Sequence, residues 1–204
     1  MGIIERKEKE KKEMRTFILR TAMGLFLEEG FDKVTIRRIA GKIEYSPATI
    51  YLYFKDKGEI LLALHNEGFD KFYKKQRTTL SEKDPWKRLR KHAGAYLSFA
   101  LANPEYYQLM FIMRVTPEEM EKKENYAICL RSFEFLKDNI QECIEAGYLP
   151  RADVDTASFA FWSLIHGMAS LIIRKRVVMV PDDYIRPVVE QAIDFMMDSM
   201  NRTA

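Results

Sequence analysis

Apolar residues recur along the chain at spacings of three and four, and the alternation of a half-buried strand is scarcely found. Met14, Phe17, Ile18, Thr21, Ala22, Leu25 and Phe26 make a stripe that ends at Gly30, a residue that takes the left-handed C-cap conformation without steric cost. Thr35 suits the cap of a short second helix that buries Ile36, Ile39, Ala40 and Ile43. Ser46-Pro47 opens a third. Its hydroxyl accepts from an otherwise orphaned N–H, and proline at the first helical position loses no bond. Asp56 and Glu59 stand at capping-box spacing before Ile60, Leu61, Leu64, Phe69 and Phe72. Asp84-Pro85, Asn103-Pro104 and Thr116-Pro117 each repeat a polar cap followed by proline, and Gly147 ends a stripe of Leu130, Phe133, Leu136, Ile140 and Ile144. Two apolar helices follow, over roughly 155–175 and 183–200. The pattern predicts an all-α protein of about nine helices with no sheet.

At 204 residues the chain suits one large domain or a small one joined to a larger. No apolar run approaches the ~20 residues that span a bilayer. The first residues are charged, unlike a signal peptide, and Glu8, Glu10 and Glu13 interrupt any lipid-facing surface there. Cys129 and Cys143 form no CxxC pair, so a reducing cytoplasm is expected. His65, His92 and His166 lie far apart in sequence, and HExxH, GxSxG and a phosphate-binding glycine loop are all missing. Neither an enzyme nor a metal or cofactor site is expected.

Net charge becomes informative when divided. Residues 1–91 carry 22 Lys/Arg and 14 Asp/Glu, and residues 92–204 carry 11 and 16. A basic first part and an acidic second part point to different partners. The densest basic run, Lys71 to Lys91, has nine Lys/Arg against two acids, yet no motif there points to DNA. The arm from Arg6 to Lys12 reads as a frayed, solvated end.

Residues 35–53 read as two short helices around a tight connection, TIRRIAGKI then EY then SPATIYLYF, the pattern of a helix-turn-helix. In that unit the second helix enters the major groove and its N-terminal residues meet base edges. Pro47, Ala48 and Thr49 are small enough for close approach. Ser46, Tyr51, Tyr53 and Lys57 place hydroxyl and ammonium donors around the same end, where helix N–H groups suit phosphate oxygens.

The stretch Leu25 to Leu64, with LFLEEGF, VTIRRIAGKI and YSPATIYLYFKDKGEILLAL, resembles the DNA-binding domain of the TetR family of transcriptional repressors. Trp162-Ser163-Leu164-Ile165-His166-Gly167 is similar to the Trp-His-Gly signature of one subgroup of TetR-like ligand-binding domains. The resemblance implies a helix-turn-helix DNA-binding domain over 1–56 and a helical effector-binding and dimerisation domain over 57–204. It implies that Thr35, Tyr51, Tyr53 and Lys57 hold phosphates. Arg37 is placed to reach a base, and Pro47, Ala48 and Thr49 to read thymine methyls and groove shape. Ala48 stands where many relatives carry Gly, and Tyr45 where Val is common. Tyr45 is expected to pack in the turn, with its hydroxyl able to reach solvent or phosphate. Tyr51 also fits a core position, Phe54 fits one better, and Arg38 fits a solvated helix face equally well.

In the second part, Ala160, Ser163, Gly167 and Ser170 form a ridge of small residues for close helix packing, either within one subunit or across a two-fold axis. The family pattern favours a homodimer through the last two helices and a near-palindromic operator. Tyr96, Phe99, Tyr107, Met110, Phe111, Phe133, Trp162 and His166 suit either an ordinary core or an apolar effector pocket. The implied function is a cytoplasmic repressor released from double-stranded DNA by a small apolar molecule. The alternative is a helical ligand carrier or adaptor that retains the helix-turn-helix as scaffold.

Overall fold

The computed structural model describes residues 2–112 and 123–201, so the predicted start at Thr116-Pro117 lies outside them. The described residues form nine α-helices and no strand: α1 (Ile3–Glu29), α2 (Ile36–Lys42), α3 (Pro47–Tyr51), α4 (Lys57–Arg77), α5 (Pro85–Ala102), α6 (Pro104–Phe111), α7 (Lys123–Glu145), α8 (Val154–Ile173) and α9 (Ile185–Met200). Short 3₁₀ turns at Thr78–Ser81 and Asp182–Tyr184 follow α4 and precede α9. Of the predicted side-chain caps, Thr35, Ser46, Asp56 and Asp84 each accept from the backbone N–H three residues on, whereas Asn103 turns its amide back to Phe99 O at 3.0 Å; Asp153 adds a cap that was not expected.

The chain divides into two compact units, one from residues 1–68 with 105–126 and one from 69–104 with 127–204. The break between the compact units falls within α4, and the α6 segment returns to the first unit.

In the first unit, α1 begins at Ile3, so the segment expected to fray is helical. Glu5 accepts from the Gly2 N–H at 2.8 Å, and the pairs Arg6–Glu10 and Lys9–Glu13 follow one turn apart. Each such pair contributes only a few tenths of a kcal/mol, but both extend a helix already anchored by Ile18, Ala22 and Phe26. Those three pack with Val34, Ile39, Ile50, Phe54, Ile60 and Leu64 in one hydrocarbon core. Gly30 ends α1 at φ +85°, ψ 152°, an extended mirror-image conformation rather than the left-handed helical one, and equally a glycine position. Gly68 of α4 lets α6 approach: a Cβ there would lie 2.5 Å from the Met110 sulfur.

In the second unit, α8 lays Ser158, Phe161, Ile165 and Ala169 inward, and α5 contributes Leu89, Ala93, Tyr96 and Ala100 to the same interior. Arg90 of α5 holds Asp194 of α9 through Nη2 at 2.9 Å. Trp86 stacks on Tyr148, whose hydroxyl donates to Asp84 at 3.0 Å. The nine-cation run is partly neutralised here, since Arg88, Arg90 and Lys91 pair with Glu142, Asp194 and Glu82. At 20 residues, α8 is long and apolar enough by length and composition to cross a membrane, contrary to the expectation that no run qualifies. Trp162, Ser163 and His166 break the uninterrupted run without making the helix polar, and its inner face is buried within the unit.

Candidate functional site

The short helices α2 and α3 are positioned from beneath by Ile36, Ile39 and Ile50. Thr35 accepts from the Arg38 N–H at 3.1 Å, which starts α2 with Arg37 on its exposed side. Arg38 does not stand free: its guanidinium donates to Glu29 at 2.7 and 3.0 Å, and that carboxylate raises its pKa. The turn after α2 closes through Tyr45 N–H to Ala40 O at 3.0 Å and Glu44 N–H to Gly41 O at 3.3 Å. That pairing is a Schellman cap, and Glu44 occupies its left-handed position at φ +62°. Ser46 then caps α3, and its hydroxyl shares a hydrogen bond with that of Thr49 at 3.1 Å.

The resulting outward edge carries Ser46, Pro47, Ala48, Thr49 and Tyr51, with Ser46 and Ala48 exposed and Pro47 and Thr49 half-buried. Tyr51 is 58% exposed and Phe54 is buried, so the open choice resolves toward surface for the first and core for the second. Tyr53 is half-buried. Tyr45 is 46% exposed, so much of its ring lies at the surface beside the left-handed Glu44. Lys57 turns its ammonium inward: it donates to Phe31 O at 3.0 Å and lies 4.2 Å from the centre of the Phe31 ring. Leu52, 76% exposed beside Tyr51, escaped the sequence expectations. Its signal was available, since it lies about 200° around a helix from buried Ile50.

The eight expected pocket residues divide between the units. Tyr107, Met110 and Phe111 belong to the first, with Tyr107 fully buried against Phe111. Tyr96, Phe99, Phe133, Trp162 and His166 belong to the second. There the Trp162 indole N–H donates to the Tyr96 hydroxyl at 3.3 Å, and that hydroxyl lies 3.0 Å from His166 Nδ1. Burial lowers the His166 pKa, which favours neutral imidazole. The tautomer of the neutral His166 ring decides whether Nδ1 accepts from the Tyr96 hydroxyl or donates to it. Phe133 packs edge-on to Trp162, and Phe72 joins Tyr96 to Phe99 at ring separations of 5.2 and 5.1 Å.

A polar group that sequence reasoning passed over lies on the same helices. The Gln76 amide donates to Ser132 O at 3.0 Å and sits 3.4 Å from His92 Nε2, and all three residues are buried. Gln76 Oε1, His92 Nδ1 and Ser132 Oγ have no hydrogen-bond partner among the described protein atoms. On α8, Ala160 and Ser163 are exposed and Gly167 and Ser170 half-buried, on the side away from Ser158, Phe161 and Ile165. Among the described residues, no group of three His, Cys, Asp or Glu is placed to hold a metal ion.

A capped helix-turn-helix with an exposed, small-residue edge, joined to a helical body, defines a class of DNA-binding regulators. Residues 18–64 match the model of bacterial regulatory proteins of the tetR family, and residues 89–196 match the tetracyclin repressor-like C-terminal domain. The chain belongs to the TetR family and is a DNA-binding transcriptional regulator with a ligand-binding C-terminal domain. It is 23% identical over 199 residues to the uncharacterized HTH-type transcriptional regulator YerO of Bacillus subtilis, covering 96% of this chain and 67% of that one. Its fold is similar to that of the fatty acid degradation regulator FadR from Bacillus halodurans, with TM-score 0.70, 20% identity and coverage of 88% and 93%. The TetR family regulator PfmR from Thermus thermophilus gives TM-score 0.71 at 24% identity, covering 91% and 99%.

Proposed function

We propose that this protein is a cytoplasmic repressor that binds a near-palindromic operator as a homodimer and leaves it when a small apolar effector enters the second unit. The observation that carries the DNA half is the outward edge of α3, whose Ser46, Ala48 and Tyr51 are exposed above a wholly hydrocarbon core. Thr35 and Arg37 at the start of α2, with Tyr53 and Lys57, complete the proposed contact set. The dimer is supported by the outward ridge of Ala160, Ser163, Gly167 and Ser170. The effector reading is supported by the aromatic set around Tyr96, Trp162 and His166, and by fold similarity to a regulator of fatty acid degradation. Effector binding lowers operator affinity by the difference in its affinity for the two states.

The test is binding to DNA from upstream of the protein's own gene across a salt series. A sequence-selective complex that weakens steeply with salt is expected. Arg37→Ala should relax preference at one base pair by about 1–3 kcal/mol. Equal binding to all sequences by the native protein would overturn the reading.

A further inference from the structure

Gln76 of α4, His92 of α5 and Ser132 of α7 meet inside the second unit, each at most 4% exposed. The Gln76 amide joins them, donating to Ser132 O at 3.0 Å and lying 3.4 Å from His92 Nε2. A carbonyl oxygen only accepts, so the amide atom beside it is the NH2 group. An NH2 only donates, so His92 Nε2 is left to accept its second hydrogen. Burial keeps the ring neutral, and its proton therefore lies on Nδ1. Three groups stay unmet among the described protein atoms: the Nδ1–H donor, the Gln76 Oε1 acceptor and the Ser132 hydroxyl. An interior keeps such atoms at a cost in stability, which a partner from outside the chain removes.

The adjoining layer indicates the kind of partner. Gln76 and His92 each lie four residues from Phe72 and Tyr96, whose rings are 5.2 Å apart. The polar group is therefore one helical turn, roughly 6 Å, along α4 and α5 from the aromatic set of Tyr96, Trp162 and His166. Ser132 precedes Phe133, which packs edge-on to Trp162. A molecule whose apolar body lies in the aromatic layer brings its end to the polar one. Charge narrows that end. Arg88, one turn before His92, is engaged by Glu142, and Lys75, Arg77, Lys91 and Arg131 beside the three residues are exposed. An ionised end would lose its hydration there without gaining a counter-ion.

We infer that Gln76, His92 and Ser132 anchor an uncharged head group that both donates and accepts, a primary amide or an alcohol, on an apolar effector. The inference rests on the effector reading and adds the chemistry of the head. The head accepts from Nδ1–H, donates to Gln76 Oε1 and shares a hydrogen bond with the Ser132 hydroxyl. A carboxylate has acceptors only and sets its negative charge against Gln76 Oε1.

The test is titration calorimetry of the full chain with octanamide, 1-octanol and octanoate at about pH 7, where octanoate is ionised. Release of DNA from upstream of the gene is measured alongside. The amide or the alcohol should bind at least about tenfold tighter than octanoate. Ser132→Ala should lower that preference at least about threefold and keep native helicity. Its urea midpoint should not fall, since the lost hydroxyl has no protein partner. Gln76→Met, close in volume, should abolish the preference. A preference unchanged in both variants makes the three atoms a structural water site only and overturns the anchor. Octanoate bound as tightly as the other two, with DNA released, overturns the anchor and leaves effector control standing. The expected preference without release of DNA keeps the anchor and overturns effector control. No binding by any of the three overturns both.

Discussion

The region around α1 to α3 and the body built on α5, α7 and α8 bury different chemistry. From Ile18 to Phe54, every buried side chain among the described residues is hydrocarbon. The second unit buries Gln76, Thr79, Arg88, His92, Ser132, Asn139 and Ser158. A hydrocarbon core asks only for volume and periodicity, and it makes a firm platform for an edge that must hold its shape against DNA. A buried polar atom asks for a specific partner, and leaving it unmet costs about 1–3 kcal/mol. Asn139 illustrates the half-met case: its amide N–H donates to Pro85 O at 2.9 Å while Oδ1 has no protein partner. The platform under α3 is therefore held by packing alone, whereas the body is held by packing together with specific polar contacts.

The largest expected break in that contrast comes from the platform. Phe54 is 1% exposed and supports α3 from below, with the Arg15 guanidinium 4.7 Å from its ring centre. Phe54→Ala should cost about 3–5 kcal/mol in urea unfolding. Hydrogen exchange should show the loss concentrated in α1 to α3, with α8 protection retained. Equal loss of protection in both regions would show that they unfold as one.

The body should respond to acid. Burial pushes the His92 pKa down to about 4 from its ordinary 6.5. The unfolded chain takes up that proton near pH 6.5 and the folded chain only near pH 4. Stability present above pH 6.5 is therefore lost progressively as pH falls toward 4, by about 3 kcal/mol for 2.5 units. Arg88, four residues earlier on α5, is already neutralised by Glu142, and Gln76, Ser132 and Phe135 around the ring carry no charge. His65 in the first unit has its pKa lowered to about 4 by the same cause and adds to the native slope. His92→Phe should flatten the fall by roughly half. An unchanged slope in that variant would place the proton uptake elsewhere.

The same contrast explains what could be read in the sequence. Thr35, Ser46 and Asp56 act on N–H groups three residues away, so short spacings were enough to locate α2, α3 and the start of α4. The Tyr96–His166 and Gln76–Ser132 contacts join residues 70 and 56 positions apart. Their composition was visible but their pairing was not, because nothing local to any one helix fixes its neighbour. That is why Tyr107 and Tyr96, grouped by aromatic character, belong to different units. Lys57 shows another limit: its spacing points to a phosphate contact, and the Phe31 carbonyl that it meets in the folded chain lies 26 residues back, where no local pattern reveals it.

Lys57 consequently separates two roles of smaller size. As a latch on the Phe31–Asp32 turn, Lys57→Ala should cost about 1–2 kcal/mol of stability and leave the salt slope of operator binding intact. As a phosphate contact, it should reduce that slope by about one and barely alter folding. Urea unfolding and a salt titration on the same variant distinguish the two, and movement of both would mean that the ammonium changes partner on binding.

The smallest effect is a matched pair across the two regions. Glu44 and Lys175 occupy equivalent left-handed positions of Schellman caps, at φ +62° and +52°, whereas α7 ends at Gly147 with φ +82°. A non-glycine side chain there costs about 1–2 kcal/mol, and glycine gives back about 0.5–1 through the greater freedom of its unfolded chain. Glu44→Gly and Lys175→Gly should each stabilise by roughly 0.5–1 kcal/mol in urea unfolding. They should part in function. Glu44 sets the exit direction of the chain into α3, so a freer residue there lets the recognition edge sample more orientations. Operator affinity should then fall slightly for Glu44→Gly even as stability rises, with no change for Lys175→Gly. Equal affinities for both variants would mean that the hydrocarbon platform alone, and not the strained turn, fixes the angle of α3.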